Sequence, residues 1–296
     1  MGAGKTTVGR ELARNARGAG VSFVDVDERI VQTTGKDIPT LFAELGERGF
    51  RAIEERAALE CLHDTQYAVI ALGGGAVTSR RLRHAVLERG YLVTLDGTPQ
   101  TLAARIQGSA RPLLAVGDPQ AVLESIAAAR SDAYAECHLR VDTTNLSPTQ
   151  IAHRIELEAR RETLVMPLGQ RSYVIEFTKN DPARVREVLL ALRPSGVILV
   201  TDENVRASQG AYIDAVLQDL GAPACTLQIR PGEVHKTLET VSQIWDVALG
   251  FELDRDAVVL AIGGGVASDM AGFAAATLLR GLRWMSIRCR CWHRKG

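Results

Sequence analysis

The amino end of the chain carries the second half of a phosphate-binding loop. Residues 2–7 read GAGKTT, against the full pattern G-x-x-x-x-G-K-[ST]. Backbone N–H groups of such a glycine turn, here Gly2 and Gly4, and of the helix behind it bind phosphate oxygens. Lys5 is placed to reach the β- and γ-phosphates, and the Thr6 hydroxyl to bind Mg²⁺. These residues predict a nucleotide enzyme, with a glycine-rich helix start as the alternative.

The loop is expected to be shortened. The first glycine of the full pattern, and the strand that precedes such a loop, would fall before Met1. The apolar periodicity of residues 8–16 predicts the helix that must follow the loop.

Two carboxylates come next. Asp25 and Asp27 flank Val26 at the end of a predicted strand, where alternation puts both side chains on one face. One of them can hold Mg²⁺ through water while the other accepts a proton from a substrate hydroxyl. The alternative is an acidic cap on a helix that begins near Glu28.

A substrate anion could be held by Arg51 and by a run of glycines. Arg51 lies at a predicted helix start, where a guanidinium suits a bidentate grip on a carboxylate. The alternative is a surface arginine paired with Glu47 or Glu54. The run 73–75, three glycines after an apolar stretch, offers backbone N–H groups with no side chain in the way, or else is an ordinary tight turn.

Two more arginines are candidates further along the chain. Arg111 lies in the segment 108–114, which resembles a mobile lid closing over phosphates. Arg130 ends an apolar-periodic helix, where a cation is favoured in any case. A plain surface loop is the alternative for the first segment.

The elements that must position these residues alternate between strand and helix. Strands are predicted at 21–26, 68–72, 91–95, 173–177, 196–201, 225–229 and 257–262. Helices are predicted at 50–62, 119–130, 147–162, 183–192, 210–220 and 237–249. We therefore expect an α/β protein: a P-loop kinase parallel sheet with helices on both faces over 1–162, then a Rossmann-like α/β domain over 163–296.

Composition narrows the class of protein. The 296 residues are 46% hydrophobic and 24% charged, with 35 basic and 35 acidic side chains, so no bulk charge points to nucleic acid or to an anionic membrane. No apolar run approaches the roughly 20 residues that cross a bilayer. The five cysteines are odd in number and mostly scattered, which favours a reducing compartment. We expect a cytoplasmic protein.

The ordered motifs of residues 1–160 resemble shikimate kinase. The resemblance implies transfer of phosphate from ATP to the 3-hydroxyl of shikimate, with Lys5 and Arg111 stabilising charge and Thr6 and Asp25 positioning Mg²⁺. Asp27 would orient the accepting hydroxyl and take its proton. The resemblance assigns further ATP contacts to Gly2, Gly4, Thr7 and Arg105, and shikimate contacts to Asp27, Arg51, Gly73, Gly74, Gly75 and Arg130.

Residues 164–287 resemble the NAD-binding half of 3-dehydroquinate synthase. The similarity rests on TDENV from 201, PGEVHKT from 231 and GGGVASD from 263. A glycine turn after a buried strand admits a pyrophosphate, with a helix N-terminus behind it. The resemblance implies that NAD contacts come from Asp202, Glu233, Lys236, Gly264, Gly265 and Asp269.

The last residues depart from that resemblance. Cys289, Cys291 and His293 do not fill a tetrahedral metal shell, so we expect a frameshifted or truncated end and no metal there. The chain is thus expected to be a shikimate kinase fused to an incomplete 3-dehydroquinate synthase without synthase activity. The alternatives are an inactive nucleotide-binding fragment and a kinase of another small carboxylated metabolite.

Overall fold

The computed structural model describes residues 2–16, 20–64, 68–106, 119–251 and 253–288. The chain divides into two compact units, residues 1–177 and 178–296. The α/β class predicted from the sequence is confirmed, because helices alternate with mainly parallel strands in both units. No helix in the described ranges has both the length and the apolar character needed to cross a membrane.

The first unit holds the phosphate loop and the predicted kinase residues. Its strands are β1 (Ser22–Asp25), β2 (Ala68–Ala71), β3 (Val93–Asp96), β4 (Leu139–Asp142), β5 (Thr163–Met166) and β6 (Tyr173–Glu176). Its helices are α1 (Lys5–Asn15), α2 (Val26–Thr34), α3 (Ile38–Asp64), α4 (Arg80–Arg89), α5 (Pro99–Ile106), α6 (Pro119–Ala129), α7 (Ser131–Ala135) and α8 (Pro148–Ala159).

The strands of the first unit form pairs rather than one continuous sheet. β1 lies parallel to β2, and β3 lies parallel to β4. The expected single parallel sheet is therefore present as two parallel pairs. Each pair has its own core: Ile30, Phe50 and Leu82 are buried beside the first pair, and Val141 and Ile151 beside the second.

A hairpin ends the first unit, so this unit extends further along the chain than the sequence predicts. β5 and β6 pair antiparallel, and the Gly169 N–H between them donates to the Glu136 carboxylate at 3.0 Å. Residues 173–177 were expected to be the first strand of the second domain, but this strand pairs within the first unit. The compact units consequently divide after Phe177 instead of after residue 162.

The second unit is a four-stranded parallel sheet between helices. Its strands are β7 (Val197–Asp202), β8 (Ala224–Ile229), β9 (Val258–Gly263) and β10 (Arg283–Arg288), in the order β10-β9-β7-β8. Its helices are α9 (Pro182–Ala191), α10 (Glu203–Leu217), α11 (Leu238–Gly250) and α12 (Gly265–Thr277). The central strands β7 and β9 are almost wholly buried, as continuous apolar runs between two helical layers should be.

Candidate active site

The phosphate loop turns through two left-handed glycines. Gly2 has φ of 73° and Gly4 has φ of 81°, values that L side chains rarely adopt. Helix α1 begins directly afterwards at Lys5, and no side chain caps its first N–H groups. These backbone donors and the positive end of the helix dipole remain available to a phosphate.

A hydrogen bond joins the phosphate loop to Asp25, the first of the two predicted carboxylates. The Thr6 hydroxyl donates to Asp25 Oδ2 at 2.8 Å, while Asp25 Oδ1 accepts the backbone N–H of Asp27 at 3.0 Å. A hydroxyl beside a carboxylate is an oxygen donor pair of the kind that Mg²⁺ prefers. The structure thus brings together the two residues that the sequence analysis assigned to the metal.

The expected placement of Asp25 and Asp27 on one strand face is wrong. β1 ends at Asp25, and Val26 already begins α2, so Asp27 lies in the first turn of a helix. Asp25 caps that helix, which is the alternative role considered for this acidic pair, and it contacts Thr6 as well. Capping turns the chain after Asp25, so alternation along a strand no longer decides where Asp27 points.

A cavity of about 480 Å³ adjoins the loop. It is lined by residues 2–8 of the loop and α1, by Arg105 and Ile106 of α5, and by residues near the start of α8. Arg105 is fixed there because its guanidinium donates to the Thr143 hydroxyl at 2.9 Å and to the Thr143 carbonyl at 2.8 Å. Loop residue Thr7 and Arg105 therefore border the same space, as an ATP site would require.

Among the residues expected to bind the phosphate acceptor, Arg51 is paired with a buried carboxylate. Its guanidinium lies 2.6 Å from Glu54 Oε2 and 3.1 Å from Glu47 Oε1. Glu54 is only 2% exposed, and this burial raises the pKa of its carboxyl although Arg51 opposes the shift. From the sequence, Glu54 is expected only as a surface partner of Arg51, so its burial at the site is a correction.

The three glycines pass close against this ion pair. A Cβ on Gly73 would lie 2.0 Å from Glu54 Oε1 and 3.2 Å from Asp27 Oδ1, and a Cβ on Gly75 would lie 2.1 Å from Arg51 Nη1. Only glycine allows this approach without moving the side chains. The structure therefore brings Asp27, Arg51 and residues 73–75 together.

Arg130, which directly precedes α7, reaches the same glycines. Arg130 Nη1 donates to the Gly74 carbonyl at 2.9 Å, and the Tyr134 hydroxyl donates to the same oxygen at 2.7 Å. Tyr134 was not singled out from the sequence, although its position one helical turn after Arg130 is a signal that could have found it.

A buried ion pair contacts the segment that follows the three glycines. Arg83 of α4 donates to Glu136 Oε2 at 2.8 Å and to the carbonyls of Val77 and Thr78, which follow the glycines. Glu136 directly follows α7. Neither residue of the pair was predicted, because their approach depends on packing between distant elements.

In the second unit, predicted residues meet at a switch point of the sheet. The chain moves from β7 to β8 on one side and to β9 on the other, and ligands bind where strand order diverges in this way. Asp202 ends β7 and caps α10, with Val205 N–H donating to it at 2.9 Å. A Cβ on Gly263, the last residue of β9, would lie 3.4 Å from Asp202 Oδ2.

The glycines at this switch point leave room for a ligand. Gly264 precedes α12 without a side-chain cap, and a Cβ on Gly264 or Gly265 would meet nothing within 4 Å. Lys236 Nζ lies 2.5 Å from Asp269 Oδ2 on α12 and 3.9 Å from Glu233 Oε2.

Some predicted residues lie outside the described part of the chain: Arg111, Cys289, Cys291 and His293. Within the described ranges, no three His, Cys, Asp or Glu side chains are grouped so as to hold a metal ion.

Comparisons with known proteins match two different families to separate parts of the chain. A family model described as shikimate kinase matches residues 1–159, and one described as 3-dehydroquinate synthase N-terminal matches residues 226–290. A bifunctional shikimate kinase/3-dehydroquinate synthase of Thermotoga maritima is 29% identical over 282 residues, covering 95% of this chain and 52% of the relative. The chain thus spans about half the length of that relative.

Relatives of the first unit alone are more similar. The shikimate kinase of Shewanella oneidensis is 41% identical over 157 residues, covering 52% of this chain and 90% of the relative. The solved structure of an Acinetobacter baumannii shikimate kinase in complex with shikimate shares 35% identity, with a TM-score of 0.49, over 53% of this chain and 86% of that one. The chain belongs to the shikimate kinase family, and behind its kinase part it carries an N-terminal part of a 3-dehydroquinate synthase.

Proposed function

We propose that the first unit transfers the γ-phosphoryl group of ATP to the 3-hydroxyl of shikimate. One observation carries the proposal: the start of α2 contacts both the phosphate loop, which would hold the phosphate donor, and the glycine run 73–75, which would hold the phosphate acceptor. Asp25 accepts from Thr6 in the phosphate loop, and Asp27, two residues later, lies beside Gly73 in the glycine run. A phosphate group and an accepting hydroxyl held at these two places would lie next to each other.

The donor side would hold the triphosphate through the loop backbone and Lys5. A Cβ on Gly2 would lie 2.7 Å from the Leu102 carbonyl, so the loop fits closely against α5. Thr6 and Asp25 are the residues that would hold Mg²⁺, which when bound bridges phosphate oxygens and neutralises their charge. Arg105 borders the cavity where the nucleotide base is expected.

The acceptor side would bind an anionic, hydroxylated ring. Arg51 and Arg130 supply guanidinium groups for a carboxylate, and the glycine run supplies backbone groups for hydroxyls. Asp27 would accept the hydrogen bond of the attacking hydroxyl and take its proton. By family resemblance, Arg111 would add positive charge over the transferring phosphate.

For the second unit we propose binding of NAD at the switch point of its sheet. The supporting observation is the approach of Asp202 to Gly263, with an uncapped helix beginning two residues later. Asp202 would accept from a ribose hydroxyl, and Gly264 and Gly265 would face the pyrophosphate. Glu233, Lys236 and Asp269 would line the same region.

The kinase proposal is tested by ADP release with ATP and Mg²⁺, with and without shikimate. We expect release that depends on shikimate and falls at least a hundredfold in Asp27→Asn, since general-base groups contribute roughly 10²–10⁴-fold. Glu60→Gln, an exposed change on α3, is the matched control. Release with neutral sugars that equals or exceeds release with shikimate would contradict the assignment, and no release at all would favour an inactive nucleotide-binding protein.

A further inference from the structure

The hairpin at the end of the first unit contacts helix α7, which belongs to the proposed shikimate site. Residues 167–172 form the turn between β5 and β6. The Gly169 N–H in this turn donates to Glu136 Oε1 at 3.0 Å, directly after α7. A Cβ on Gly169 would lie 3.1 Å from Asp132 Cγ, in the first turn of α7. The hairpin turn therefore lies against both ends of this short helix.

The hairpin is held at its base and within its turn. Arg161 Nη1, between α8 and β5, lies 3.4 Å from Glu176 Oε1 at the end of β6. In the turn, the Ser172 hydroxyl accepts the Leu168 N–H at 2.9 Å and donates to the Gly169 carbonyl at 2.6 Å. Because both ends are held, the hairpin can place the Gly169 N–H at a fixed position beside α7.

Glu136 joins the hairpin to the segment that follows the glycine run. It is only 7% exposed, and its Oε1 accepts from Gly169 while its Oε2 accepts from Arg83 at 2.8 Å. Arg83 Nη1 donates in turn to the carbonyls of Val77 and Thr78, at 2.5 and 3.0 Å. One carboxylate oxygen thus binds the hairpin, and the other binds the residue that holds this segment.

Helix α7 connects the same carboxylate to the glycines themselves. The Tyr134 hydroxyl and Arg130 Nη1 both donate to the Gly74 carbonyl, at 2.7 and 2.9 Å. Because α7 has only five residues, a displacement of Glu136 moves Tyr134 with it. The hairpin turn is therefore connected to the glycine run by two routes, one through Arg83 and one through α7.

We propose that the hairpin β5–β6 is a positioning element of the shikimate site, acting through the hydrogen bond from Gly169 to Glu136. It holds α7 and residues 74–78 in the arrangement that binds the substrate. The inference rests on the proposed function, since it concerns the site assigned there to shikimate. β5 begins at Thr163, beyond the residues 1–159 that match the shikimate kinase family, so membership of that family does not imply this role. Residues that follow the kinase part thus help to determine how tightly the kinase binds its substrate.

Gly169→Ala tests this contact, with Gly20→Ala in the same unit as the matched control. Both glycines have positive φ, 62° and 70°, so alanine is strained at each, but a Cβ on Gly20 would meet nothing within 4 Å. We expect the Kd for shikimate, measured by isothermal titration calorimetry without ATP, to rise about fivefold or more in Gly169→Ala, the factor that one hydrogen bond of ordinary net strength represents. In Gly20→Ala it should stay within about twofold of the parent. A lower Tm in both variants with an unchanged Kd in both would reduce the hairpin to a structural role and overturn the proposal.

Hydrogen exchange gives a readout that needs no substrate. The N–H groups of Ala76, Thr78 and Tyr134 bond to backbone carbonyls of residues 73, 75 and 130. We expect these amides to exchange faster in Gly169→Ala than in Gly20→Ala, whereas β7 and β9 of the second unit stay unchanged. Equal exchange in the two variants would overturn the positioning role. Absence of shikimate binding by the parent would instead overturn the proposed function, so the two failures are distinguishable.

Glu136→Gln tests the same hydrogen bond from its other end and does not require alanine to be accepted at residue 169. Glutamine has one acceptor oxygen instead of two, and Arg83 takes it as the charged donor, so the Gly169 N–H faces an amide NH₂ group. We expect a similar rise in the Kd for shikimate, and no further rise when both substitutions are combined, since residues that act through one contact are not additive. Additive increases, or an unchanged Kd in Glu136→Gln, would overturn the route through Glu136.

Discussion

The Arg51 guanidinium and the Glu54 carboxylate, 2.6 Å apart, occupy the space that side chains on Gly75 and Gly73 would need. Neither glycine has a positive φ, so each is required for close approach and not for its backbone conformation. The obstructing atoms are the ends of flexible side chains, which can shift at modest cost in stability. Such a shift would instead disturb the groups proposed to hold the substrate.

We therefore predict that Gly73→Ala and Gly75→Ala raise the KM for shikimate with little loss of stability. A displaced charge-assisted hydrogen bond is worth about 1.5–3 kcal/mol, so KM should rise roughly 10- to 100-fold. The KM for ATP should change less than threefold, because the loop is untouched. Steady-state kinetics in both substrates, with Tm measured alongside, checks the prediction.

Gly74→Ala is the matched control within the same run. Its Cβ would lie 3.6 Å from the Tyr134 hydroxyl and 3.7 Å from Arg130 Nη1, which are ordinary contact distances. We expect a smaller rise in the KM for shikimate than in Gly73→Ala and Gly75→Ala, because this Cβ does not displace the Arg51–Glu54 pair. Equal effects of all three alanines would show that the Arg51–Glu54 pair is not what limits residues 73 and 75.

Glu54 and Glu136 should make opposite contributions to the pH dependence of stability. Burial raises the pKa of Glu54, so its stabilisation is fully present below about pH 4.5 and is lost as the pH rises through the folded pKa. For Glu136, burial opposes ionisation, but hydrogen bonds from Arg83 and Gly169 outweigh it and lower the pKa. Its contribution is present above about pH 4.5 and is lost as the pH falls through the folded pKa.

The test compares the free energy of unfolding of Glu54→Gln and Glu136→Gln with the parent by urea denaturation. Relative to the parent, we expect Glu54→Gln to improve as the pH rises from 4.5 to 7. Glu136→Gln should lose about 1–3 kcal/mol at pH 7 and recover part of this loss below pH 4. Parallel pH profiles for the two variants would contradict this reading of the two buried acids.

The sequence predicts the elements that carry local signals. The seven predicted strands lie close to their expected bounds, because apolar runs of this length mark buried strands. The glycine patterns of the loop and of 73–75 likewise indicate close backbone approach, and neighbouring atoms lie close against Gly2, Gly73 and Gly75. Residue types and their order are sufficient to identify these glycines, because the chemistry of phosphate and carboxylate binding restricts which residues can occupy such positions.

Features that depend on long-range packing were not predictable. The strand ends at Asp25, one residue earlier than expected, because Asp25 Oδ1 accepts the Asp27 N–H and caps α2, while Asp25 Oδ2 accepts from Thr6 of a distant element. α10 begins at Glu203, earlier than expected, since Asp202 caps it. The pairing of Arg83 with Glu136 joins positions 53 residues apart, and no local pattern reports such a contact.

Thr6 should control the requirement for Mg²⁺. Thr6→Ala removes the hydroxyl that lies 2.8 Å from Asp25 Oδ2, so we expect the Mg²⁺ concentration for half-maximal activity to rise about tenfold or more, corresponding to at least 1.4 kcal/mol. Thr6→Ser keeps the hydroxyl and should stay within about threefold of the parent. A Mg²⁺ titration of ADP release measures both, and an equal shift in the two variants would assign the effect to the lost methyl group.

The last prediction concerns NAD binding by the second unit. Asp202→Asn preserves the cap on α10, because asparagine caps helices as well as aspartate does, but it removes the charge proposed to accept from a ribose hydroxyl. We expect the Kd for NAD, measured by isothermal titration calorimetry, to rise about tenfold or more while Tm changes little. Asp214→Asn on the same helix breaks only an exposed pair with Arg206 and should leave both quantities unchanged. Undiminished NAD binding by Asp202→Asn would move the cofactor away from the switch point, and absence of binding by the parent chain would remove the proposed site altogether.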